Sequence, residues 1–558
     1  MASVSSSAAF DYVIVGAGSA GAVLACRLTE DPDVRVLLLE AGGRDHWWDW
    51  RIHMPAALSY PMNTKALAWQ YWTEPQAHMD GRRLHWPRGK LLGGSSSING
   101  MAYVRGNAGD FDGWAQDPGL KHWSYAHCLP YFRRAETYDR GPDDWRGGDG
   151  PLHVSVGKAE NPLYRAWIEA GRQAGYAFTA DMNGRQQEGV ARMDMTVHRG
   201  RRWSTAVAYL GPAMERPNLT VETGAQTERV VVENGRATGV AYLRKGARQE
   251  ARAEREVILS AGAIGSPQIL MLSGIGPADP LRAVGVDVVH DLPGVGENLQ
   301  DHLELYVQQG CLEPVSIYPA LTPIGKLKVG LEWFLFKRGL GTSNQFEAGG
   351  FIRSEPGDPW PNIQFHFLPL AINYDGSAPA KGHGFQVHVG PMRPASRGTI
   401  RLKSADPRDA PILEPNYLAE ERDRRELRES VKLSREIFAQ EAFDRFRGPE
   451  LAPGAEVRTD AEIDRFARAR AESAYHPSGA CKMGTDALAV VDGDCRVHGI
   501  AGLRVVDSSI MPRITSGNLN APTIMIGEKA ADLIRGAEPL PPSNAAVGVV
   551  DGWETRQR

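Results

Sequence analysis

Apolar residues near the start of the chain follow the order strand, glycine-rich turn, helix, strand. The apolar run at 10–15 predicts a short buried strand, and the segments 22–29 and 34–39 predict a helix and a second strand that ends at Glu40. The turn between the first strand and the helix has the pattern G-x-G-x-x-G. This order of elements is typical of a βαβ unit that binds a dinucleotide.

The three glycines of this turn, Gly16, Gly18 and Gly21, each have a physical role. The first permits the tight turn, the second lets backbone approach a pyrophosphate, and the third lets the helix pack against the strand. The pyrophosphate would lie at the helix N-terminus, where free N–H groups and the helix dipole favour negative charge. Glu40, followed by Ala41, is placed to bind ribose hydroxyls and to repel a 2′-phosphate. The pattern alone leaves NAD and FAD both open.

Composition narrows the class of protein. A chain of 558 residues is too long for one ordinary domain, and its 42% apolar and 23% charged residues are typical of a soluble globular protein. The balance of 63 basic against 67 acidic residues gives no reason to expect nucleic acid as a partner. Five cysteines without a C-x-x-C exclude a disulfide framework and argue against structural zinc, so no metal is expected.

The ends and the apolar runs of the chain indicate neither export nor a membrane span. Residues 1–9 are mostly Ser and Ala with no basic residue, unlike a secretory signal. The longest apolar stretch, 257–275, is interrupted by Ser, Gly and Pro and fails as a membrane span. We therefore expect a cytoplasmic chain, with peripheral contact at the inner face of the cell membrane left open. Segment 537–558 is rich in proline and polar residues and predicts a mobile tail.

Three further segments carry a family resemblance. The first is RGKLLGGSSSING at 88–100, the second is GAIGSPQILMLSGIG at 262–276, and the third is HPSGACKMG at 476–484, followed by Asp507 and by GNLNAPT at 517–523. Together they resemble the glucose–methanol–choline (GMC) family of FAD oxidoreductases. The resemblance extends over residues 10–535 and implies FAD as the cofactor and an alcohol as the substrate.

The resemblance implies a fold that combines the α/β and α+β classes. A Rossmann-like FAD-binding domain is expected from the segments 8–150, 216–310 and 476–536. A substrate-binding domain with an antiparallel sheet is expected to be inserted as 151–215 and 311–475. Alternating, strand-like pieces such as 384–390 and 398–403 fit this second domain.

By the same resemblance, a set of residues is expected to surround FAD. These are Gly16, Gly18, Gly21, Glu40, Ala41, Lys90, Gly93, Gly94, Asn99, Gly100, Met101, Ala102, Val230, Asp507, Pro522 and Thr523. Some family members attach FAD covalently through a histidine in the segment matching 88–100. The corresponding position here is Ile98, whose aliphatic side chain cannot form that bond, so noncovalent FAD is expected.

The resemblance also implies which residues remove the hydroxyl proton and hold the substrate oxygen. Oxidising an alcohol removes a proton from oxygen and a hydride from carbon, with flavin N5 as the hydride acceptor. His476 is the predicted base, because a histidine with a pKa near ~6.5 is largely neutral at working pH. Asn520 is its predicted partner, an amide that holds the substrate oxygen or alkoxide. His302 is expected to be structural or to lie near the flavin.

Within the family, the alcohol that we expect is choline, oxidised to betaine aldehyde and, since a hydrated aldehyde is itself an alcohol, onward to glycine betaine. A quaternary ammonium donates no strong hydrogen bond, so charge and aromatic faces must recognise it. Glu347 is the predicted carboxylate. Gln345 stands where a histidine is expected in members that oxidise choline. The predicted aromatic residues are Tyr475, Tyr60, Trp69 and Phe367.

Three alternatives stay open from the sequence. A related flavin dehydrogenase or oxidase would act on neutral aliphatic or polymeric alcohols through an apolar funnel. The family also resembles FAD lyases and photoenzymes that perform no net alcohol oxidation, and a third alternative is a binding protein that has lost activity. The sequence does not decide the electron acceptor, a quinone-linked chain or oxygen, or the oligomeric state.

Overall fold

The structure is a computed structural model that describes residues 10–373 and 382–558. The first two residues of the predicted FAD-binding domain and the stretch 374–381 of the predicted substrate domain lie outside the described residues. Within the described part of the chain, no helix is long and apolar enough to cross a membrane.

Thirteen α-helices are distributed along the described residues. Two of them begin at a complete capping box, at Asn107 and at Thr459, where an acidic residue three positions later returns the hydrogen bond. The helices are α1 (Ser19–Leu28), α2 (Trp50–His53), α3 (Ser59–Met62), α4 (Ala108–Trp114), α5 (Tyr125–Ala135), α6 (Pro162–Gln173), α7 (Gly211–Ala213), α8 (Gly262–Leu272), α9 (Ala278–Ala283), α10 (Pro323–Phe336), α11 (Glu421–Phe438), α12 (Asp460–Arg470) and α13 (Asn520–Arg535).

The strands form two large sheets and several short ribbons. In the first half of the chain they are β1 (Phe10–Val15), β2 (Val36–Glu40), β3 (Ala68–Trp72), β4 (His85–Gly89), β5 (Ala102–Tyr103), β6 (Glu136–Tyr138), β7 (Leu152–Val156), β8 (Gly189–Arg192), β9 (Asp194–Met195), β10 (Val197–His198), β11 (Arg201–Arg202), β12 (Leu219–Thr223), β13 (Ala225–Glu233), β14 (Arg236–Arg244) and β15 (Ala247–Leu259). In the second half they are β16 (Ile275–Gly276), β17 (His290–Asp291), β18 (Leu303–Cys311), β19 (Ala348–Ile352), β20 (Ile363–Leu368), β21 (Gly384–Pro391), β22 (Thr399–Arg401), β23 (Ile412–Glu414), β24 (Arg447–Ala452), β25 (Glu472–Ser473) and β26 (Leu503–Val505).

The first sheet contains the predicted βαβ unit. Its strand order is β12-β2-β1-β15-β14-β13, with β26 also paired to β15. The strands β12, β2, β1, β15 and β26 are parallel, and β13, β14 and β15 form an antiparallel ribbon. Strand β2 is buried along its whole length, as expected for a parallel strand covered on both faces. The sequence therefore predicted this unit correctly.

Two helices from opposite ends of the sequence pack together on the first sheet. Helix α1 contacts α13, and a Cβ at Gly527 of α13 would lie only 3.2 Å from the Cα of Ala20. Small residues at this crossing let the two helix backbones approach closely. The approach places the N-terminus of α13 beside the glycine-rich turn, which matters for the cofactor site below.

The second sheet is antiparallel, with strand order β24-β18-β21-β20-β19-β8 and β25 paired to β18. Because side chains alternate along a strand, each central strand presents two faces. Phe365 and Phe367 of β20 pack with Phe385 of β21 and with Trp167 and Phe438 of the helices that cover one face. The residues between them face the opposite side. That opposite side becomes one wall of the candidate site.

The predicted fold class is confirmed, but one domain boundary needs correction. Strand β18 was expected in the first domain, within 216–310, and it lies in the centre of the second sheet. The strands β5 and β6 of segment 8–150 also join β7 and β9 of segment 151–215 in one small sheet. Strand patterns are alike in both domains, so the sequence could not show which sheet each strand joins.

The tail after Gly536 is attached to the body of the protein. The Ser543 N–H donates to the carbonyl of Ala126 at 2.8 Å, and the Gly548 N–H donates to that of Arg185 at 2.7 Å. Near the end, Arg558 pairs with Glu436 of α11 at 2.7 Å. The backbone of the tail thus has hydrogen-bond partners that composition cannot reveal, and its mobility stays a prediction.

Phe367 belongs to the core of the second sheet rather than to a binding cage. Its ring is fully buried, with its centroid 5.3 Å from that of Trp167. We expect Phe367→Ala to lower the free energy of unfolding by about 3–5 kcal/mol, because it leaves a cavity in a packed core. Thermal unfolding of the holoprotein measures this loss. The exposed Phe178 offers a control, since Phe178→Ala should change the midpoint little. A Phe367→Ala protein of normal stability with impaired substrate binding would contradict this assignment.

Candidate active site

A cavity of about 1850 Å³ extends from the glycine-rich turn to the inner face of the second sheet. At one end it is lined by Gly16, Gly18 and Glu40 of the βαβ unit. Its other end reaches His476 and strands β18, β20 and β21. The cavity therefore joins the predicted dinucleotide site to the predicted catalytic residue.

The glycine-rich turn has the geometry that its pattern predicts. Gly16 has a φ of +99°, and a Cβ there would lie 2.4 Å from the carbonyl oxygen of Ser260. A Cβ at Gly21 would lie 1.9 Å from the Gly16 oxygen, so the helix could not pack against the turn with any other residue. The Glu40 carboxylate accepts hydrogen bonds from the N–H groups of Ala17 and Gly42, at 3.0 and 2.8 Å. Burial raises the pKa of Glu40 to about 7.

The loop at 99–102 is held against the cavity by two side chains from outside it. The Asn99 side-chain oxygen accepts hydrogen bonds from the Met101 N–H at 3.0 Å and from Arg202 at 2.7 Å. The amide of Asn344 donates to the Gly100 carbonyl at 2.7 Å. This loop therefore presents fixed backbone to the cavity, as expected for contact with a flat ring.

Further features of the cradle fit a bound dinucleotide. A Cβ at Gly94 would lie 2.7 Å from the Cα of Gly18, so the two glycine-bearing loops touch. The buried hydroxyl of Ser260 lines the cavity and has no hydrogen-bond partner among the described residues. Asp507 accepts from the Gly262 N–H at 2.9 Å and from the Ser266 hydroxyl at 2.6 Å, and burial raises its pKa. The residues present therefore fit a bound dinucleotide.

Most of the residues expected around FAD line the cavity, and five do not. Gly21 and Gly93 support the loops from behind, and Lys90 places its ammonium 3.9 Å from the centre of the Trp69 ring. The Val230 N–H donates to Ser273, and Pro522 lies in the first turn of α13. In place of Val230, the segment 225–227 lines the cavity. The expected residues that do line it are Gly16, Gly18, Glu40, Ala41, Gly94, Asn99, Gly100, Met101, Ala102, Asp507 and Thr523.

His476 is one end of a hydrogen-bonded chain that fixes its tautomer. Nε2 of His302 lies 2.9 Å from the carbonyl oxygen of Met392, so this nitrogen carries a proton. In neutral His302 the other nitrogen, Nδ1, is then an acceptor, and it lies 3.0 Å from Nδ1 of His476. His476 must therefore donate from Nδ1. Its Nε2 is therefore unprotonated and carries the lone pair that a base requires.

The amide beside this lone pair belongs to Asn518 and not to Asn520. The Asn518 side-chain nitrogen lies 3.3 Å from Nε2 of His476, and its oxygen accepts from Gln364 at 3.2 Å. The Asn520 oxygen instead accepts from the Ser19 hydroxyl at 2.8 Å. Asn520 is the first residue of α13, so its side chain joins the starts of α13 and α1. The predicted pairing of His476 with Asn520 is therefore corrected to Asn518.

Burial keeps three imidazoles at this site neutral. Desolvation is the main cause that lowers the pKa of His476 well below its usual value, and the nearby His302 and Arg88 lower it further. Desolvation also lowers the pKa values of His302 and His366 to about 4. At neutral pH the base is therefore unprotonated and able to accept a proton.

Asp301 holds the backbone of this base in place. Its carboxylate accepts hydrogen bonds from the N–H of His476 at 2.7 Å, from the Ser473 hydroxyl and from the Tyr417 hydroxyl. Burial raises the pKa of Asp301 to about 6, an effect opposed by these donors and by the positive charge of Arg88. Asp301 and His302 are adjacent in the sequence, so one short segment positions both the backbone and the ring of His476.

Comparison with known proteins identifies the family. Two models described as GMC oxidoreductase match residues 10–304 and 394–527. The chain belongs to the GMC oxidoreductase family. It is 59% identical, over 98% of this chain and 96% of the relative, to the oxygen-dependent choline dehydrogenase of Paraburkholderia phymatum. It is 56% identical, over 98% of this chain and 99% of the relative, to the oxygen-dependent choline dehydrogenase 1 of Chromohalobacter salexigens.

Solved structures of this family have the same fold. Pyridoxine 4-oxidase from Mesorbium loti superposes with a TM-score of 0.87 at 34% identity, covering 95% of this chain and 100% of that one. Formate oxidase superposes with a TM-score of 0.88 at 28% identity, covering 95% and 99%. As a GMC oxidoreductase, this protein is an FAD-dependent oxidoreductase of alcohols, and the cradle described above fits FAD.

Two of the predicted substrate residues do not line the cavity of this GMC oxidoreductase. The Glu347 carboxylate turns away from it and accepts from the Ala159 N–H at 2.6 Å. Phe367 lies in the core of the second sheet, as shown above. Tyr475, Tyr60 and Trp69 do line the cavity, and whether they bind substrate stays a prediction.

A different carboxylate and different rings surround the cavity near His476. Glu304 lines the cavity with its carboxylate 3.3 Å from Nδ1 of His388. Tyr306 stacks on His388 with ring centres 3.8 Å apart, and Phe346 meets His388 edge to face at 5.1 Å. His366 lies 5.9 Å from Phe346, and its Nε2 is 3.3 Å from the Asn518 oxygen. A continuous chain of contacts therefore connects the base to this carboxylate.

One sequence signal could have identified this wall. In the run from His302 to Val307, polar and aromatic residues alternate with apolar ones. Leu303, Leu305 and Val307 are buried in the core, so the residues between them face the cavity. The strand period therefore groups Glu304 and Tyr306 with His302 on one face, and Glu347 has no such pattern around it.

Ile98 occupies the position that carries the covalent histidine in some family members. Its side chain is buried beside Ile52, Leu67 and Leu91, and it lines the cavity. An aliphatic side chain offers no nucleophile to the flavin. Noncovalent binding of FAD stays a prediction.

The two asparagines provide a matched pair for testing the corrected assignment. Because Asn518 donates beside the base, Asn518→Ala should slow anaerobic flavin reduction by roughly 10²–10³-fold, the usual cost of losing one donor to a developing oxyanion. Asn520→Ala should instead weaken retention of FAD, measured by gel filtration, with a much smaller effect on the rate in protein that keeps its flavin. The reverse pattern would restore Asn520 as the catalytic amide.

Proposed function

We propose that this protein oxidises choline to betaine aldehyde, with FAD as the hydride acceptor. The observation that carries the proposal is the carboxylate of Glu304, which lines the cavity among Tyr306, Phe346 and His388. A carboxylate framed by rings suits a cation that has no hydrogen to donate. The similarity to relatives named oxygen-dependent choline dehydrogenases supports the same substrate.

The trimethylammonium group would bind at this carboxylate and its rings. The Glu304 side chain is only 13% exposed, so its attraction for a cation is weakly screened by water. Tyr306 and Phe346 present ring faces or edges to the same region, and cation–π contacts add roughly 0.5–2 kcal/mol each when they are desolvated. A neutral alcohol of the same shape gains neither term.

The hydroxyl of the substrate would then lie between Nε2 of His476 and the amide of Asn518. The lone pair on Nε2 accepts the hydroxyl proton, because the tautomer set by His302 leaves that nitrogen unprotonated. The Asn518 amide, held by Gln364, donates a hydrogen bond to the oxygen as negative charge develops there. Bound FAD supplies the hydride acceptor for the adjacent carbon.

The low pKa of His476 also suits a cationic substrate. A protonated imidazolium in this cavity would repel a quaternary ammonium, whereas neutral His476 and His366 do not. The cation would therefore meet the Glu304 carboxylate with neutral imidazoles at His476 and His366. The hydrated aldehyde keeps the same ammonium group and a hydroxyl, so we infer that the same residues act again to give glycine betaine.

The alternatives from the sequence are less well supported. An apolar funnel for neutral aliphatic or polymeric alcohols does not explain a carboxylate in the wall of the cavity. The paired His476 and Asn518 serve proton removal, which a photoenzyme or an inactive binding protein does not need.

Anaerobic reduction by choline tests the proposed function. We expect choline to bleach the oxidised flavin band of the holoprotein. His476→Ala should slow this step by roughly 10²–10⁴-fold, the usual contribution of a general base. Since the pKa of His476 lies well below its ordinary value, the wild-type rate should stay constant from neutral pH down to the ordinary histidine range and fall only at lower pH, where the base is protonated. Bound FAD that choline does not reduce would overturn the proposal.

Variants of two glutamates, Glu304 and Glu347, test whether a negative charge in the cavity binds the cation. Glu304→Gln removes the negative charge from the cavity, so KM for choline should rise by roughly tenfold or more while KM for 3,3-dimethylbutan-1-ol, its uncharged isostere, changes little. Glu347→Gln is the matched control, because the new amide oxygen still accepts from Ala159 and the side chain lies outside the cavity. Equal effects of Glu304→Gln on both alcohols would show that it does not bind the cation.

A further inference from the structure

Two neighbouring strands of the second sheet carry the same sequence pattern, Gln-x-His. Strand β20 has it at Gln364 and His366, and strand β21 has it at Gln386 and His388. The two histidines are paired across the strands, and both line the cavity. Side chains two residues apart share one face of a strand, so each glutamine lies beside the histidine that follows it. The chemistry proposed above uses Gln364 and leaves Gln386 without a role.

The side-chain amide of Gln386 has one orientation that its neighbours permit. Its oxygen accepts from the backbone N–H of Ile372 at 2.8 Å. It also accepts from the side-chain nitrogen of Gln308 at 2.8 Å, and that nitrogen donates to the Ile372 carbonyl at 2.8 Å. A backbone N–H can only donate and a carbonyl can only accept, so turning either amide around would oppose like groups. The side-chain nitrogen of Gln386 is therefore a donor at a known position.

This donor determines which nitrogen of His388 carries the proton. The Gln386 side-chain nitrogen lies 2.7 Å from Nε2 of His388, so Nε2 must accept and is unprotonated. The single proton of the neutral ring is then on Nδ1, the atom that lies 3.3 Å from the Glu304 carboxylate. The carboxylate thus meets an N–H group that brings no full charge. A doubly protonated ring would oppose an N–H to the amide of Gln386.

Burial and packing hold this arrangement in place. Gln386 is fully buried, and Gln308 and His388 are 3% and 7% exposed. Because these polar groups are removed from water, a donor that opposes another donor finds no substitute partner. Tyr306 stacks on the His388 ring with ring centres 3.8 Å apart, which restricts the plane of the ring. Gln386 itself does not line the cavity, so any effect on a substrate passes through His388.

We propose that Gln386 is a positioning residue for cation binding, because it fixes His388 in the neutral tautomer whose N–H lies beside Glu304. In this tautomer His388 holds the carboxylate without neutralising it, and the attraction for a quaternary ammonium is kept. An imidazolium at the same place would cancel the charge of the carboxylate and repel the substrate. The inference rests on the proposed function, in which Glu304 binds the cation.

Gln386→Glu reverses the donor and keeps the size of the side chain. The new carboxylate still accepts from Ile372 and Gln308, but it can only accept from His388 as well. The ring must then donate from Nε2, so that either a lone pair on Nδ1 opposes Glu304 or the ring becomes an imidazolium. Both results weaken cation binding. We expect KM for choline, relative to KM for 3,3-dimethylbutan-1-ol, to rise roughly fivefold or more.

Gln364→Glu is the matched variant on strand β20. Gln364 donates to the Asn518 oxygen at 3.2 Å, so a carboxylate there should disturb the amide beside the base. We expect this variant to slow flavin reduction by both alcohols alike, whereas Gln386→Glu acts on the KM of one of them. Equal effects of Gln386→Glu on both KM values would indicate a structural role only and overturn the inference. So would an unchanged KM for choline in Gln386→Glu when Glu304→Gln raises it, and the proposed function would then still stand.

A double-mutant cycle shows whether Gln386 acts through His388. His388→Asn keeps an N–H near the position of Nδ1 and cannot carry a charge. In that background Gln386→Glu should change the ratio of the two KM values by less than about twofold, because the coupled partner is gone. A change as large as in the wild-type background would overturn the inference.

The tautomer can also be measured without any substrate. In holoprotein labelled at histidine, the nitrogen shifts in nuclear magnetic resonance distinguish Nδ1–H from Nε2–H, and the His388 signals are those lost in His388→Asn. We expect the Nδ1–H form in the wild type and its loss in Gln386→Glu. The Nε2–H form in the wild type overturns the inference for any substrate. Glu304→Gln that affects both alcohols equally would instead overturn cation binding at Glu304, whichever tautomer is found.

Discussion

The arrangement of the catalytic site depends on one buried carboxylate, that of Asp301. It joins its own segment to two other parts of the chain, to one through the N–H of His476 and the hydroxyl of Ser473, and to the other through the hydroxyl of Tyr417. A buried charge is stable only when donors and an opposite charge compensate it, and here Arg88 supplies the positive charge. Because His302 follows Asp301 directly, the same strand end that fixes the backbone of His476 also fixes the proton on its ring. The backbone of His476 is thus positioned by Asp301, and its ring by His302.

Two features set the electrostatics of the cavity: imidazoles that burial keeps neutral, and a carboxylate on the cavity wall. Desolvation lowers the pKa values of His476, His302 and His366, so the imidazoles stay neutral. Glu304 keeps its carboxylate on the cavity wall beside His388 and the rings of Tyr306 and Phe346. A cation that enters this cavity is attracted by Glu304 and is not repelled by an imidazolium at His476, His302 or His366. The same desolvation that makes His476 available as a base also makes the cavity acceptable to a quaternary ammonium.

The sequence predicted the parts of the protein that rest on local patterns. The glycines at 16–21 and the acid that ends β2 have fixed spacing for physical reasons, and they lie where expected. Asn518 and Asn520 are two residues apart in one motif, and only the start of α13 at Asn520 shows that its side chain turns to Ser19. The apolar and glycine residues around Glu347 are typical of a buried position, and Glu347 is buried, but its carboxylate is directed toward Ala159. Burial can be inferred from composition, whereas direction depends on which sheet a strand joins.

Helix α10 shows how one element can serve two surfaces. Its inner side, through Trp333, is part of the folded body, and its flank at Leu327 and Phe334 forms the rim of the cavity. Its outer side at Ile324 and Leu335 contacts neither. A globular protein that needed only a wall for its cavity would place polar residues on that outer side at no cost in packing. The apolar residues there, with lysines around them, therefore have no explanation in the fold or in the chemistry of the site.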